Sequence, residues 1–440
     1  MAVFQAAALH GGQPGKGKVV LPGPSDVPPA ERTAKGPDGV ADYRSTHFVL
    51  HTDLSSQEAG GLLRRLETML ALVSNYWGRP LEGTIECYVV RDLGAWPEDA
   101  LDRSGRAKIE QGAGITHVET LNRGPQVLSA KAVVYAAADR GTPEHEAVHA
   151  YCGQTFGRMG PLWYSEGMAE MGQYWRQGDT SVHCPAYVID YLRASRAKPV
   201  RRILAEDDTG PRGAAPIRTG DSWQNYSWRW ALCHLLANNP NYADRFRPLG
   251  LGYLSGAPVS FADTYGAMMD EIEFEYRFFL RHVDEGYRVD LCGWNWKRKF
   301  REPAGSAVVR SRIVANRGWQ PSGAILHRGE KYDYTAGGIW QIAPQRRDVT
   351  ADGLDDGAGR LEGVIFRDFN LSEPFALSAC GTFTAPHDGR LFLRCRDKWN
   401  ELADNSGFVA VKIKNSGAGD ELARPNRTAT IEPPRPADAE

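Results

Sequence analysis

Residues whose types and spacing suit chemistry sit in two short segments, Thr142-Pro143-Glu144-His145-Glu146-Ala147-Val148-His149 and Trp163-Tyr164-Ser165-Glu166-Gly167. The first contains His-Glu-x-x-His, and the second adds a carboxylate. On a helix, residues four apart share a face and lie about 6 Å apart along the axis. His145 and His149 would then offer two imidazoles to one zinc ion. Glu166 would complete three protein ligands and leave the fourth position for water, the pattern of catalytic zinc sites. Glu146 projects near the same face and would be the general base. Zinc would acidify a water toward a pKa of about 7 and polarise a carbonyl. Glu146 would take the water proton and pass it to a leaving amine. The plainer alternative is a surface helix with two solvated histidines.

These side chains need elements to hold them. Thr142 suits an N-cap, Pro143 the first helical position, and Glu144 the positive end of the helix dipole. Just upstream, Lys131-Ala-Val-Val-Tyr-Ala-Ala reads as a strand leading into the metal helix. Pro161-Leu-Trp-Tyr-Ser-Glu166-Gly-Met-Ala-Glu170 opens a second helix, with Glu166 and Glu170 four apart. Glu166 is the third ligand in this reading. Glu170 would accept a hydrogen bond from a ligating histidine, or would simply be a solvated helix residue. Cys152 lies about one turn after His149, and a buried packing role suits it better than metal ligation.

The two segments resemble the gluzincin metallopeptidases, whose signature is His-Glu-x-x-His plus a downstream Glu, often within Trp-x-x-Glu-Gly-x-Ala. The resemblance covers roughly residues 43–285 and is strongest over 142–170. It implies a zincin-like α+β domain, zinc as cofactor and a protein or peptide as substrate. It also implies an upper sheet with one strand bordering the cleft, for which 112–119 and 132–138 are the candidates. Extended peptide would pair with that edge. Tyr226, His183 and His234 are candidates to stabilise an oxyanion, although a structural role suits each of them better. The rival reading is a non-catalytic binding protein that keeps the zincin scaffold.

The chain has 440 residues, long enough for two domains plus tails. A net charge of −2 without a basic block argues against a nucleic-acid partner. No apolar run reaches the length of a membrane span. The seven cysteines show no metal or disulfide framework, although Cys380 and Cys395 flank an expected hairpin and are candidates to pair. Residues 1–42, rich in Gly and Pro, read as a disordered leader without a clear signal peptide. The expected site of action is nonetheless secreted or on the cell envelope. Order is expected to start at the strand Thr46-His-Phe-Val-Leu-His-Thr. A capping box at Ser55 and Glu58 then opens a helix with Leu62, Leu66, Met69, Leu70, Val73 and Trp77 on one face. Thr84-Ile-Glu-Cys-Tyr-Val-Val is the next strand. Residues 172–285 read as mainly helical, with one helix spanning Phe261 to His282. The metallopeptidase domain is placed at 43–290, and the stretch from Tyr287 to Ser306 reads as a linker.

Residues 307–414 alternate short apolar runs with Gly, Asp and Asn turns, the pattern of a small β-sandwich. Residues 415–440 read as a disordered tail. The segment from Phe383 through Asp397 and on to Asn400-Glu-Leu-Ala-Asp404-Asn405-Ser-Gly resembles the galactophilic lectins of the PA-I type. That resemblance implies a calcium ion held at Asp397, Glu401, Asp404 and Asn405, and a glycan partner contacted through it. Oxygen donors in a loop suit such a hard cation. The expected architecture is therefore an α+β zincin-like metallopeptidase domain followed by an all-β sandwich, with Zn2+ and Ca2+ as cofactors.

Overall fold

The computed structural model describes residues 31–35, 39–123, 126–139, 141–176, 178–205, 223–305 and 307–417. Most of the expected leader and nearly all of the expected tail lie outside these residues. The chain mixes helices with three β-sheets. By internal packing it divides into residues 1–159 and 160–440. No helix among the described residues is long and apolar enough to cross a membrane.

In the first unit, β1 (Glu31–Lys35), β2 (Ala41–Arg44) and β3 (Phe48–Thr52) are followed by α1 (Ser56–Trp77) and β4 (Ile85–Val90). Then come α2 (Arg103–Glu110), β5 (Gly114–Arg123), β6 (Gln126–Ala137) and α3 (Thr142–Phe156). The sheet order is β1-β2-β3-β4-β6-β5, parallel between β3, β4 and β6 and antiparallel elsewhere. The sheet starts earlier than the sequence suggests, because Tyr43 on β2 is buried and its hydroxyl bonds Ser56. The Ser55–Glu58 capping box forms as expected, and Leu62, Leu66, Met69, Leu70, Val73 and Trp77 are buried.

β5 is an edge strand, pairing with β6 alone among the described strands, whereas β6 is interior. Of the two candidate edges, 112–119 is therefore the one at the sheet margin. Alternation along β5 turns Gly114, Thr116 and Val118 to one face. α3 lies on that face: Thr116 reaches Glu146, and a Cβ at Gly153 would come within 2.4 Å of Val118. The opposite face carries Tyr88 and Tyr135, packed with Trp96, Leu101 and Ile109 around α2.

The second unit begins with helices α4 (Leu162–Tyr174), α5 (Ala186–Ala194), α6 (Val200–Ala205), α7 (Trp223–Asn238), α8 (Ala243–Ser255), α9 (Phe261–Tyr265), α10 (Met269–His282) and α11 (Val289–Cys292). The single helix expected from Phe261 to His282 is broken. Tyr265 leaves helical geometry at φ −128° and ψ 0°, and Gly266–Met268 form a 3-10 turn. Glycine is a poor helix former, so the break falls there. α4 and α7 cross closely at Gly167, where a Cβ would sit 2.4 Å from Cys233 Sγ and 2.7 Å from Arg229 O.

The remainder of this unit is β7 (Val309–Val314), β8 (Gln320–Leu326), β9 (Lys331–Gln341), β10 (Leu361–Arg367), β11 (Asn370–Leu371), β12 (Phe375–Ala376), β13 (Cys380–Thr384), β14 (Gly389–Cys395) and β15 (Ser406–Asn415). One sheet runs β11-β10-β14-β8, with β12 on β10, and the other runs β13-β9-β15-β7. Inward residues of both sheets, among them Ile313, Trp340, Leu361, Leu391 and Val409, share one buried core, as in a sandwich. All seven cysteines are free thiols, so Cys380 and Cys395 do not pair. Cys395 is buried and Cys380 exposed.

The expected linker is packed structure. Trp294 joins Phe274 and Phe278 of α10 with Phe366 and Phe392 of the sandwich in one aromatic cluster. Beside it, the buried Glu275 carboxylate accepts from Asn239, Asn241, Tyr242 and Trp296 side chains and from Trp294 N.

Two histidines of this unit, His234 buried and His282 half-buried, make its stability pH-dependent. His234 stacks on Phe279, and burial depresses its pKa to about 3. His282 lies against Phe278 and Trp399, and burial with the nearby Arg394 depresses it to about 4. Both are neutral in the fold, while the unfolded chain protonates them near pH 6.5. Their contribution is thus complete above pH 6.5 and is lost as pH falls toward 4 and then 3. Urea unfolding in chelator should show stability falling by roughly 2 kcal/mol per histidine between pH 7.5 and 4.5. His282→Gln should flatten that slope, and an unchanged slope would contradict the assignment.

Candidate metal centre

α3 begins one residue earlier than a Thr142 cap would place it. Gly141 is the N-cap, with φ +113°, and makes no side-chain cap. Asp139 Oδ1 accepts from Thr142 N instead, at 3.1 Å. Pro143 still falls in the first turn, where no helical N–H partner is lost. Glu144 is buried and meets the Arg65 guanidinium of α1 at 2.6 Å. These contacts fix the start of the helix that carries His145, Glu146 and His149.

All three of those side chains are buried, as are Glu166 and Glu170 on α4. His145 Nε2 and His149 Nε2 stand 3.2 Å apart. Two nitrogens bound to a tetrahedral zinc at about 2.05 Å would lie about 3.3 Å apart. His145, His149 and Glu166 each offer a ligand atom, all within 4.8 Å of one another. The donor set of two imidazoles and a carboxylate therefore fits zinc.

Glu146 is kept out of that group by β5. Thr116 Oγ1 lies 2.8 Å from Glu146 Oε2 and 2.9 Å from its carbonyl, so the hydroxyl donates to one of the two. A Cβ at Gly114 would come within 2.6 Å of Glu146 Cγ and 3.0 Å of Oε1. Glycine at this point of the edge strand makes the space for the carboxylate. Thr116 and Gly114 were not identified from sequence, since they lie 30 and 32 residues from Glu146 and no motif links them. Glu170 takes a hydrogen bond from the Tyr174 hydroxyl one turn on. Burial and the Glu170 charge raise the Tyr174 pKa far above the usual phenol range.

The remaining candidates divide. Burial pushes the Cys152 thiol well above its ordinary pKa, consistent with an inert packing role. His183 is tied to Asp179 at 2.8 Å and to Ser181 at 3.1 Å. His234 is a buried stacking residue. Tyr226 sits beneath the Arg229 guanidinium, 5.9 Å from its ring centroid.

In the sandwich, Asp397 and Asn405 are neighbours. Asp397 Oδ1 accepts from Lys398 N at 2.9 Å. Asn405 is buried and donates from Nδ2 to Ala315 O at 3.3 Å. Asp397 Oδ2 and Asn405 Oδ1 are buried oxygens with no well-formed hydrogen bond. Burial raises the Asp397 pKa, and the Glu401 and Asp404 charges add to the rise. Acceptor oxygens of this kind suit a hard cation, and the Asn405 side chain also bonds the Asp397 carboxylate, which opposes the rise in its pKa. Glu401 is held by Lys398 Nζ at 2.7 Å, and Asp404 is exposed. Among the described residues, Asp397, Glu401 and Asp404 do not bring three carboxylate oxygens within 4.8 Å of one another.

No family model and no curated protein matches the chain. Among solved structures, it is similar to one described as "EclA N-terminal domain; PllA-like lectin", at 15% identity and a TM-score of 0.22, over 25% of this chain and 99% of that one.

Proposed function

We propose that this chain is a zinc-dependent metallopeptidase of the gluzincin kind, with a C-terminal module for calcium-dependent glycan or surface binding. The observation that carries the first part is the 3.2 Å approach of the His145 and His149 Nε2 atoms in a buried group with Glu166. A zinc ion there would supply Lewis acidity toward a substrate carbonyl and acidify the attacking water. Glu146, positioned by Thr116 and given room by Gly114, would accept the water proton and deliver it to the leaving amine. The edge that β5 leaves unpaired among the described strands would hold the peptide in extended form by backbone pairing. Cleavage of a broad peptide library by the zinc-loaded protein tests this reading. No cleavage of any peptide would leave a binding protein on the same scaffold.

The second part rests on the sequence resemblance around Asp397 and on the two buried oxygens of Asp397 and Asn405. Calcium should raise the melting temperature of the full chain, since a ligand at 100 times its Kd adds about 2.7 kcal/mol. Asp397→Ala should abolish the rise. A melting curve unmoved by calcium would leave the sandwich without a metal role. A glycan partner and a calcium requirement both suit a secreted or envelope-bound protein, which is the location we propose.

A further inference from the structure

Asp397 opens onto a cavity of about 390 Å3, lined by four cations, Arg346, Arg394, Arg396 and Lys398, and by three carboxylates. Two of the cations are committed. Arg394 is buried, bonds Glu362 and Asp397 O at 3.2 Å each, and lies 4.0 Å from the Trp399 ring centroid. Lys398 holds Glu401 at 2.7 Å. The other two are loosely held. Arg346 stands 3.6 Å from Asp356 and Arg396 stands 3.5 Å from Glu362, and each arginine side chain is 49% exposed. The Arg346 pair is long and exposed on both sides, so changing partner costs little, and Glu362 keeps Arg394 at 3.2 Å if Arg396 turns to a ligand. Room for one of them is built in: Gly357 has φ +81°, and a Cβ there would come within 2.9 Å of Arg396 Nη1.

A guanidinium presents a planar fork that matches a carboxylate or a sulfate. A neutral sugar offers only hydroxyls and gives two such forks little to bind. We propose that this cavity takes an anionic glycan, one carrying a carboxylate or sulfate on its sugar, with Arg346 and Arg396 reading the charge. The proposal rests on the lectin-like reading of the sandwich and names its ligand class. A cation at Asp397 and Asn405 would add positive charge beside the cavity and strengthen the preference.

Calorimetry on the full chain tests this, using methyl glycosides in neutral, uronic acid and 6-sulfated forms of galacto, gluco and manno configuration, with calcium and with chelator. At least one acidic form should bind about tenfold or more tighter than its neutral parent, as charge-assisted pairs to arginine allow. Arg346→Gln and Arg396→Gln, both on exposed side chains, should each lower the ratio of acidic to neutral binding. The uronide and sulfate arms decide which anion is read. Equal binding of neutral and acidic forms, no binding of any acidic form, or a preference that survives both substitutions would overturn the proposal. Calcium-induced melting shifts on the same samples keep the two readings apart. A shift without acid preference sinks this inference alone, while acid preference without a shift sinks only the calcium role.

Discussion

Glu146→Gln should keep its zinc and lose peptidase turnover by about 10²- to 10⁴-fold, the usual contribution of a positioned general base. The substitution preserves shape, leaves His145, His149 and Glu166 untouched, and leaves Thr116 a side-chain oxygen to bond. What it removes is the ability to accept a proton. The surroundings leave the side chain little freedom to find another role, because Gly114 fits it so closely that a single methyl would collide with it. Steady-state cleavage of a reporter peptide, with zinc content measured on the same samples, checks this. A variant with near wild-type turnover would remove Glu146 from the chemistry. A variant that lost zinc would show a structural role instead.

The second large effect is on stability. Glu275→Ala should destabilise the protein by about 3–5 kcal/mol, since removing one partner of a buried charged network leaves its donors unsatisfied. Five donors converge on this carboxylate, from the α7–α8 connection and from the Trp294–Trp296 segment. Burial raises the Glu275 pKa and those hydrogen bonds oppose the rise. Glu275→Gln should cost less than the alanine, because one acceptor oxygen remains. Urea unfolding of the three proteins checks the order. An alanine variant as stable as wild type would mean that water replaces the carboxylate and that the network is not holding α10 to the α7–α8 connection and the Trp294–Trp296 segment.

Local signals carried most of what could be read from the chain. The capping box at Ser55 marks α1, and the spacing of His145 and His149 places both imidazoles on one helical face, because each depends on neighbours within one turn. The sandwich was legible from its alternation and turns. What was not legible depends on contacts across the chain. Gly114 and Thr116 meet Glu146 only because β5 pairs with β6 beneath α3. The Tyr287–Ser306 stretch has the composition of a linker, yet Trp294 buries itself among aromatics from α10 and the sandwich. Arg65 and Glu144 are 79 residues apart and meet through helix packing that no local pattern records. The calcium residues were read from resemblance. Asp397 and Asn405 lie together, while Glu401 faces Lys398.

The central claim is that His145, His149 and Glu166 hold one zinc ion, and metal content tests it most directly. Elemental analysis of the purified full chain, beside His149→Ala, should find one zinc per wild-type chain and little in the variant. Losing one of three ligands removes much of the binding free energy. Equal zinc in the two proteins, or none in a wild type offered zinc, would contradict it.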